Sequence, residues 1–396
     1  MDRAELVELL TPDGLTLLDS VGETDAVTDV VKAVSRLRAE GHAPSLVAAV
    51  LTQVKLRRKA VAKFGDFASR MLFTEAGLEQ ATRLRVAALH AGRFTAAELS
   101  SVADLGCGIG GDAMAMAAMD LAVTAVDADE VTATVASYNL APFPSAEVRH
   151  ARAEDVDTRE FDALYFDPAR RTAGHSNTTR LTKPEDYSPS LDVVFDRAAT
   201  QPVGVKLGPG FDRSLIPENC EAQWVSVNGQ VVELGLWFGA LARPGVSRSA
   251  LVLDGEGTHE LTAPQDSDDV DVRPLGEYLY EPDGAVIRAR LIGDVARGLD
   301  AGMLSPGIAY LTGDRDVTSP FVTTFRVLER LPLDERTLKR ELAKRKIGAL
   351  EVKKRGADID PAVFRKKMAL RGSESATLFL TRVDGKHAAL LCERVR

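Results

Sequence analysis

Residues 102–112, Val-Ala-Asp-Leu-Gly-Cys-Gly-Ile-Gly-Gly-Asp, limit the fold more than any other stretch. A short apolar run suited to a buried strand leads directly into Gly106, Gly108, Gly110 and Gly111. Glycines let the backbone turn tightly here and let a ligand come close to the main chain. The apolar segment 113–118 then follows. A strand, a glycine loop and a helix start together predict an open α/β sheet with a nucleotide-type ligand at the carboxyl ends of its strands.

The pattern continues in the same sense. Residues 122–127 form a second strand, 129–138 a helix, 147–151 a third strand, 161–167 a fourth and 202–207 a fifth. Helical stretches between successive strands predict a parallel sheet covered on both faces. Two further strands, 222–228 and 231–238, meet at Asn228-Gly229, which favours a two-residue hairpin turn. Residues 96–243 are therefore read as a Rossmann-like α/β domain ending in an antiparallel hairpin.

A chain of 396 residues has room for more than this one domain. Upstream, 1–95 reads as an all-helical domain, with Leu6, Leu9 and Leu10, then Val30, Val31, Val34 and Leu37, at spacings of three and four. Thr74 stands as the N-cap of a helix beginning at residue 75. Downstream, 244–322 is a connecting region with strands at 250–253 and 258–262, an acidic loop at 266–271 and a helix over 286–300. Residues 323–396 alternate strand (323–327), helix (334–346), strand (349–353), helix (361–368) and a hairpin turning at Asp384-Gly385, which makes a small α+β domain.

Charge separates these regions. The whole chain carries −9, yet residues 331–396 hold 17 lysines and arginines against 9 acidic residues. A basic end on an acidic chain is either a nucleic-acid footprint or an ordinary solvated helix surface. No apolar run reaches the roughly 18 residues that span a bilayer, and Met1-Asp2-Arg3-Ala4-Glu5 lacks the features of a signal peptide. A cytoplasmic protein without a membrane partner is expected. Cys107, Cys220 and Cys392 are too scattered for a disulfide framework, and none of the 6 histidines joins them at metal-ligand spacing, so no metal is expected. Oligomeric state stays open.

The acids around the loop narrow the ligand. Asp104 lies two residues before Gly106, where a carboxylate can face an ammonium group, and Asp112 closes the loop with a charge unsuited to a pyrophosphate. A sulfonium with an amino-acid tail suits both, so Asp104, Gly106, Gly108, Gly110 and Asp112 point to S-adenosyl-L-methionine. The loop also satisfies G-x-G-x-x-G, which keeps a nicotinamide or flavin dinucleotide as the alternative; the hairpin ending suits a methyltransferase better than a dehydrogenase. Asp127, 19 residues after Gly108 and followed by Ala128, is placed to accept both ribose hydroxyls of either cofactor. Asp129 is the alternate acid or the N-cap of the next helix. Glu154 and Asp155 either accept from an adenine amino group or form a solvated turn.

Phe166-Asp167-Pro168-Ala169-Arg170-Arg171 ends the fourth strand at the same sheet edge. The prolyl turn can hold Asp167 beside a transferred methyl group, where its carboxylate accepts a proton or hydrogen bond from the attacking atom. Arg170 and Arg171 can hold phosphate or stack on a base; the other reading is an acidic cap with surface arginines. Lys206, ending the fifth strand, is a candidate substrate contact or a solvent-facing lysine. Cys220 has no activating base nearby in sequence and reads as an incidental thiol rather than a nucleophile.

Residues 104–112 resemble the first motif of class I methyltransferases, and Asp127 falls where their ribose-binding acid sits. Residues 166–171 resemble their fourth motif, which in many RNA and DNA methyltransferases reads Asp/Asn-Pro-Pro followed by an aromatic residue or arginine. Here Ala169 replaces the second proline and no aromatic follows, which speaks against stacking a flipped adenine. Over nearly its full length the chain resembles bacterial class I methyltransferases with a C-terminal THUMP-like domain. Phe73 and Thr74 with 78–82 look like their lead-in to the cofactor site, while 277–282 and Lys353-Lys354-Arg355-Gly356 look like later signatures. The resemblance implies a class I methyltransferase sheet, S-adenosylmethionine as cofactor with Phe73 and Thr74 at its site, and a tRNA or rRNA partner met by Lys353, Lys354 and Arg355. The cysteine motif of uridine-carbon enzymes is missing, so the expected reaction is direct methyl transfer to a nitrogen of an RNA base. The alternatives are a small-molecule or protein methyltransferase, and a module that binds cofactor or RNA without catalysis.

Overall fold

Three of the N-terminal helices start at a side-chain cap. Asp2 and Glu5 form a capping box on Arg3–Leu9, Thr11 caps Pro12–Ser20, and Thr74 caps Glu75–Gln80, each satisfying a backbone N–H that the first turn leaves without a partner. The computed structural model describes residues 1–21, 30–170 and 184–395. They divide into two units, Met1–Leu207 with Leu236–Ala242, and Gly208–Gly235 with Arg243–Arg396.

In the first unit the strands are β1 (Ser101–Leu105), β2 (Ala122–Asp127), β3 (Ala146–His150), β4 (Ala163–Phe166), the short β5 (Ala169–Arg170) and β6 (Tyr187–Ser188), and β7 (Val203–Leu207). The main sheet runs β3-β2-β1-β4-β7, all parallel. Leu105 pairs with both Val126 and Phe166, and Phe166 with Val205. This register brings Gly106, Asp127, Asp167 and Lys206 to one carboxyl edge. The N-terminal helices and the sheet share one apolar core, from Leu6 and Leu9 through Phe64, Phe73 and Phe94 to Tyr165 and Trp237. Burying each large side chain contributes about 1.5–3 kcal/mol. The expected helix between the third and fourth strands is absent; two short turns, Ala153–Asp155 and Thr158–Glu160, stand there instead. Polar side chains hold that connection, with Asp157 accepting from the Arg159 amide and Asp162 from the amides of Ser100 and Ser101.

Strand β8 (Glu221–Val227), in the second unit, turns at Asn228-Gly229 into β9 (Gln230–Phe238), whose residues from Leu236 on count with the first; the φ values of 50° and 77° at the turn fit the primed type. Strand β10 (Arg248–Leu253) pairs parallel with β8 and antiparallel with β11 (Thr258–Ala263). The remaining strands, β12 (Tyr278–Pro282), β13 (Gly302–Ser305), β14 (Ile308–Gly313), β15 (Val322–Leu331), β16 (Ile347–Lys354), β17 (Glu374–Val383) and β18 (Lys386–Arg394), form one sheet in the order β13-β14-β12-β15-β18-β17-β16. Three strands of the connecting region thus join the C-terminal strands in one sheet, and Leu279, Tyr310, Phe325 and Phe379 share a core cluster. The helix expected over 286–300 is two helices, Gly284–Arg288 and Ile292–Leu299. Between them Arg290 takes a left-handed φ of 61° and gives its carbonyl to the Ser267 amide, which breaks the helical ladder.

Candidate active site

The end of β1 carries a buried acid that no described residue satisfies. Asp104 is 1% exposed, and among the described residues neither carboxylate oxygen has a hydrogen-bond partner. Burial pushes its pKa well above the ordinary carboxylate range, and the nearby charges of Asp112, Asp167 and Asp127 push the same way against Lys206. An uncompensated buried carboxyl costs stability and calls for a cationic ligand or a proton. The loop beside it is built for close approach. Gly106 has φ 94°, and a Cβ there would lie 3.0 Å from the Asp167 carbonyl oxygen, so only glycine lets the loop and the Asp-Pro turn pass. Gly110, at φ 85°, starts the helix Gly111–Ala117 from a left-handed residue.

Asp127 is held by two backbone amides. One oxygen accepts the Gly108 amide at 3.0 Å and the other the Asp129 amide at 2.9 Å, which leaves lone pairs on both. Burial raises its pKa, and the two amides partly offset this. Ala128 follows it and gives its carbonyl to His150 Nε2 at 3.2 Å, while Asp129 caps the helix Glu130–Leu140. Glu154 and Asp155 sit on the turn after β3, with Glu154 3.5 Å from Arg152. The lead-in is clamped from both sides. Gln53 exchanges two hydrogen bonds with the Phe73 backbone at 2.8 and 3.0 Å. Asn139 does the same for Leu72 and also donates to the Ile109 carbonyl of the glycine loop. The Phe73 ring is buried against Phe64, so this residue can offer a ligand only its backbone. Thr74 Oγ1 accepts the Gly77 amide.

Two residues lie differently from expectation. Asp112 does not face the loop's concave side: Thr82 donates to one oxygen at 2.6 Å, and His90 Nδ1 lies 2.8 Å from the other. Burial alone would raise its pKa, but His90, Lys206 and Thr82 outweigh it and leave the carboxyl below its usual value. Lys206 is neither solvent-facing nor turned to an open site. It is 8% exposed, 2.5 Å from Asp167 and hydrogen-bonded to Thr82 Oγ1 and the Gln80 carbonyl. Pro168 is buried behind Asp167. Arg170 pairs with Tyr187 through its backbone; its side chain and all of Arg171 lie outside the described residues. Thr82 falls within the lead-in segment 78–82 without a role of its own there, and His90, Gln53 and Asn139 are not among the residues the sequence singles out. His90 left a visible signal, a lone polar residue on the apolar face of Leu84–Ala96 among Val86, Ala87, Ala91 and Phe94.

In the second unit Lys353 is turned into the fold, 2.7 Å from Glu281 and 3.3 Å from Glu351. The Arg355 guanidinium lies over the Tyr310 ring at 5.1 Å, whereas Lys354 is exposed. The cysteines are unsuited to nucleophilic work. Burial pushes Cys220 and Cys392 up to about 12 and raises Cys107 as well, which leaves the thiolate scarce near neutrality. Among the described residues no three metal-ligating side chains converge, and no helix is long and apolar enough to cross a membrane.

S-Adenosylmethionine fits this edge: its ammonium and sulfonium suit a buried, unpaired carboxylate with further acids nearby, where a dinucleotide pyrophosphate would be repelled. The chain is similar to other proteins along its length. Residues 322–394 match a family model described as THUMP domain-like, and residues 2–60 match a domain of unknown function. Two proteins from Mycobacterium tuberculosis, strains CDC 1551 / Oshkosh and ATCC 25618 / H37Rv, each named an uncharacterized S-adenosylmethionine-dependent methyltransferase, are 37% identical over 359 residues, which covers 88% of this chain and 95% of theirs. A solved structure from Porphyromonas gingivalis W83, named a "putative methyltransferase", superposes with a TM-score of 0.73 at 20% identity over 100% of this chain and 99% of its own, so the fold is shared. A carboxyl-edge site that suits a sulfonium cofactor and kinship over most of the length agree, and the chain belongs to the S-adenosylmethionine-dependent methyltransferases.

Proposed function

We propose that the protein methylates a nitrogen of an RNA base by direct in-line transfer. The observation that carries the RNA reading is the match of the basic C-terminal segment, residues 322–394, to a THUMP domain-like model. Its excess of lysine and arginine, 17 against 9 acids over residues 331–396, is the charge that RNA phosphates attract. Lys354, exposed, and the neighbouring Arg355 are the residues of that signature assigned to RNA.

The cofactor supplies a methyl group on a sulfonium. Asp104 would hold its ammonium, Asp127 its ribose hydroxyls, and Gly106, Gly108 and Gly110 would let the loop backbone lie against it, with the Phe73-Thr74 backbone and Ala128 beside them. Glu154 or Asp155 would accept from the adenine amino group. Asp167, on its prolyl turn, accepts the proton or hydrogen bond of the attacking nitrogen, and transfer then depends chiefly on alignment. Direct attack is favoured because the three thiols are buried and their pKa values raised. Arg170 and Arg171 would meet RNA phosphates or bases beyond the turn.

Mass spectrometry of nucleosides from a deletion strain tests the reading. One methylated RNA species should vanish, return with the wild-type gene, and stay absent with Asp167→Ala. That variant should keep its affinity for S-adenosylmethionine and lose at least about a hundredfold in turnover. Unchanged RNA nucleosides in the deletion strain would overturn the substrate; wild-type turnover by Asp167→Ala would overturn the residue's role.

A further inference from the structure

Asp112 and Lys206, each expected at a ligand, are joined to one another through Thr82. The hydroxyl has a single proton, and Asp112, held below the usual carboxylate value, can only accept. The proton is therefore committed to Asp112 Oδ2 at 2.6 Å. What the hydroxyl presents to Lys206, 3.1 Å away, is a lone pair. The ammonium then has an acceptor for each of its three N–H groups: Thr82 Oγ1, the Gln80 carbonyl at 3.3 Å and Asp167 Oδ2 at 2.5 Å. Turning the hydroxyl round would strand a buried carboxylate oxygen and aim an O–H dipole at a cation. The direction of the chain is fixed.

Its anchor points are fixed too. On the far side Asp112 Oδ1 lies 2.8 Å from His90 Nδ1 and, having no proton of its own to give, accepts that nitrogen's N–H, while Tyr165 Oη lies 3.0 Å from the same nitrogen. Below, Lys63 donates to the carbonyls of Leu78, Glu79 and Ala81 at 2.7–2.8 Å, clamping the segment that carries Gln80 and Thr82. Thr82 is 5% and Lys206 8% exposed, so water does not compete for these bonds. A lysine free in solution would lose about 2 kcal/mol of rotamer freedom on meeting a carboxylate; this one has already lost it in the folded protein.

We infer that Thr82 and Lys206 are positioning residues for methyl transfer: the chain from His90 and Asp112 through Thr82 to Lys206 holds Asp167 in one orientation as an ionised acceptor. The inference rests on the reading of Asp167 as the residue that faces the nucleophile. A staple that only ties residues 78–82 to the sheet would stabilise the fold without tuning Asp167.

Full-length Thr82→Val keeps the shape and removes both bonds, Thr82→Ser restores the hydroxyl, and Lys206→Met removes the cation. Thr82→Val should lower kcat by roughly tenfold, leave KM for RNA and the cofactor Kd within twofold, and move the acidic limb of kcat to higher pH, because an ammonium no longer anchored by Thr82 is held less closely against Asp167 and the carboxylate protonates more readily. Thr82→Ser should return both toward wild type. Carboxyl carbon-13 NMR of aspartate-labelled protein, with the resonance assigned through Asp167→Asn, reads the same effect without substrate. Asp167 should titrate at higher pH in Thr82→Val and Lys206→Met than in the parent. If both variants lose melting temperature while the NMR titration and the acidic limb stay at wild-type positions, the chain is a staple and the inference falls. Absence of methyl transfer to RNA by the wild type would sink the proposed substrate, and the NMR comparison would still decide this point.

Discussion

Two buried carboxylates, one in each unit, have opposite surroundings. Glu221, at 0% exposure, is met by Arg243 through the backbone amide, Nε and a guanidinium nitrogen at 3.1, 3.1 and 2.5 Å. Glu260 completes the group, taking two hydrogen bonds from Arg243 at 2.7 Å and one each from Gln223 and Ser249 at 2.6 Å. Asp104 is as deeply buried and has no hydrogen bond from any described residue. The first arrangement is complete within the fold, so its carboxylates serve structure. No described residue completes the second, which leaves it open to a ligand or a proton. Burial by itself says little about function; the missing partner says much more.

The comparison can be broken most severely at Arg243. Arg243→Met would leave Glu221 charged and buried without its guanidinium partner, and unfolding in urea should show a loss of about 3–5 kcal/mol. A loss below about 1 kcal/mol would mean that water reaches Glu221 and that the contrast is false.

Asp104→Asn should do the reverse. Stability should hold or rise, since a buried acid without a partner is removed, while calorimetry should show cofactor affinity falling by about a hundredfold, the worth of a charged contact at roughly 1.4 kcal/mol per factor of ten. The pH dependence carries a definite sign. In the free protein the Asp104 pKa is raised, so Asp104 favours folding at low pH, and that contribution is lost as pH rises from the ordinary carboxylate value through the raised one. Asp112, lowered in the fold, stabilises above the ordinary value and loses this as pH falls through its own. Cofactor binding favours ionised Asp104, so affinity should drop by up to about tenfold per pH unit below the raised value. Titration in buffers of different ionisation enthalpy should show a proton released in that range. A wild-type proton count in Asp104→Asn would assign the proton elsewhere.

The smallest effect sharpens the contrast in the second unit. Lys353 is paired inside the fold with Glu281, and Lys354 beside it is exposed. Lys354→Gln should reduce the slope of log affinity for RNA against log salt by about one and leave stability alone. Lys353→Gln should lower stability by about 1 kcal/mol and change the slope less. Equal slopes in the two variants would show that the signature acts as one patch.

These residues mark how far sequence alone reaches. The glycine loop, the parallel strands after it, the cap at Thr74 and the hairpins at Asn228-Gly229 and Asp384-Gly385 were legible, because each depends on local backbone preference or on a repeat of apolar positions. The left-handed φ values of 50° at Asn228 and 48° at Asp384 are the ones those turns require. Strands β12 to β14 were not legible as strands. They are short, and their edges are set by pairing across a sheet that gathers residues from 278 to 394. Asp104 and Asp112 illustrate the divide most directly. In sequence both are acids at the ends of one glycine loop, and both were assigned to the same cofactor. Only the tertiary structure separates them, since Thr82 and His90, 30 and 22 residues away in the chain, fill one carboxylate, while no described residue reaches the other. The sequence alone called for a nucleoside-bearing ligand at a glycine loop, with acids that favour a cationic one and a dinucleotide as the alternative. Which acid is left to meet it was decided by long-range packing, because a buried charge takes its meaning from its neighbours in space.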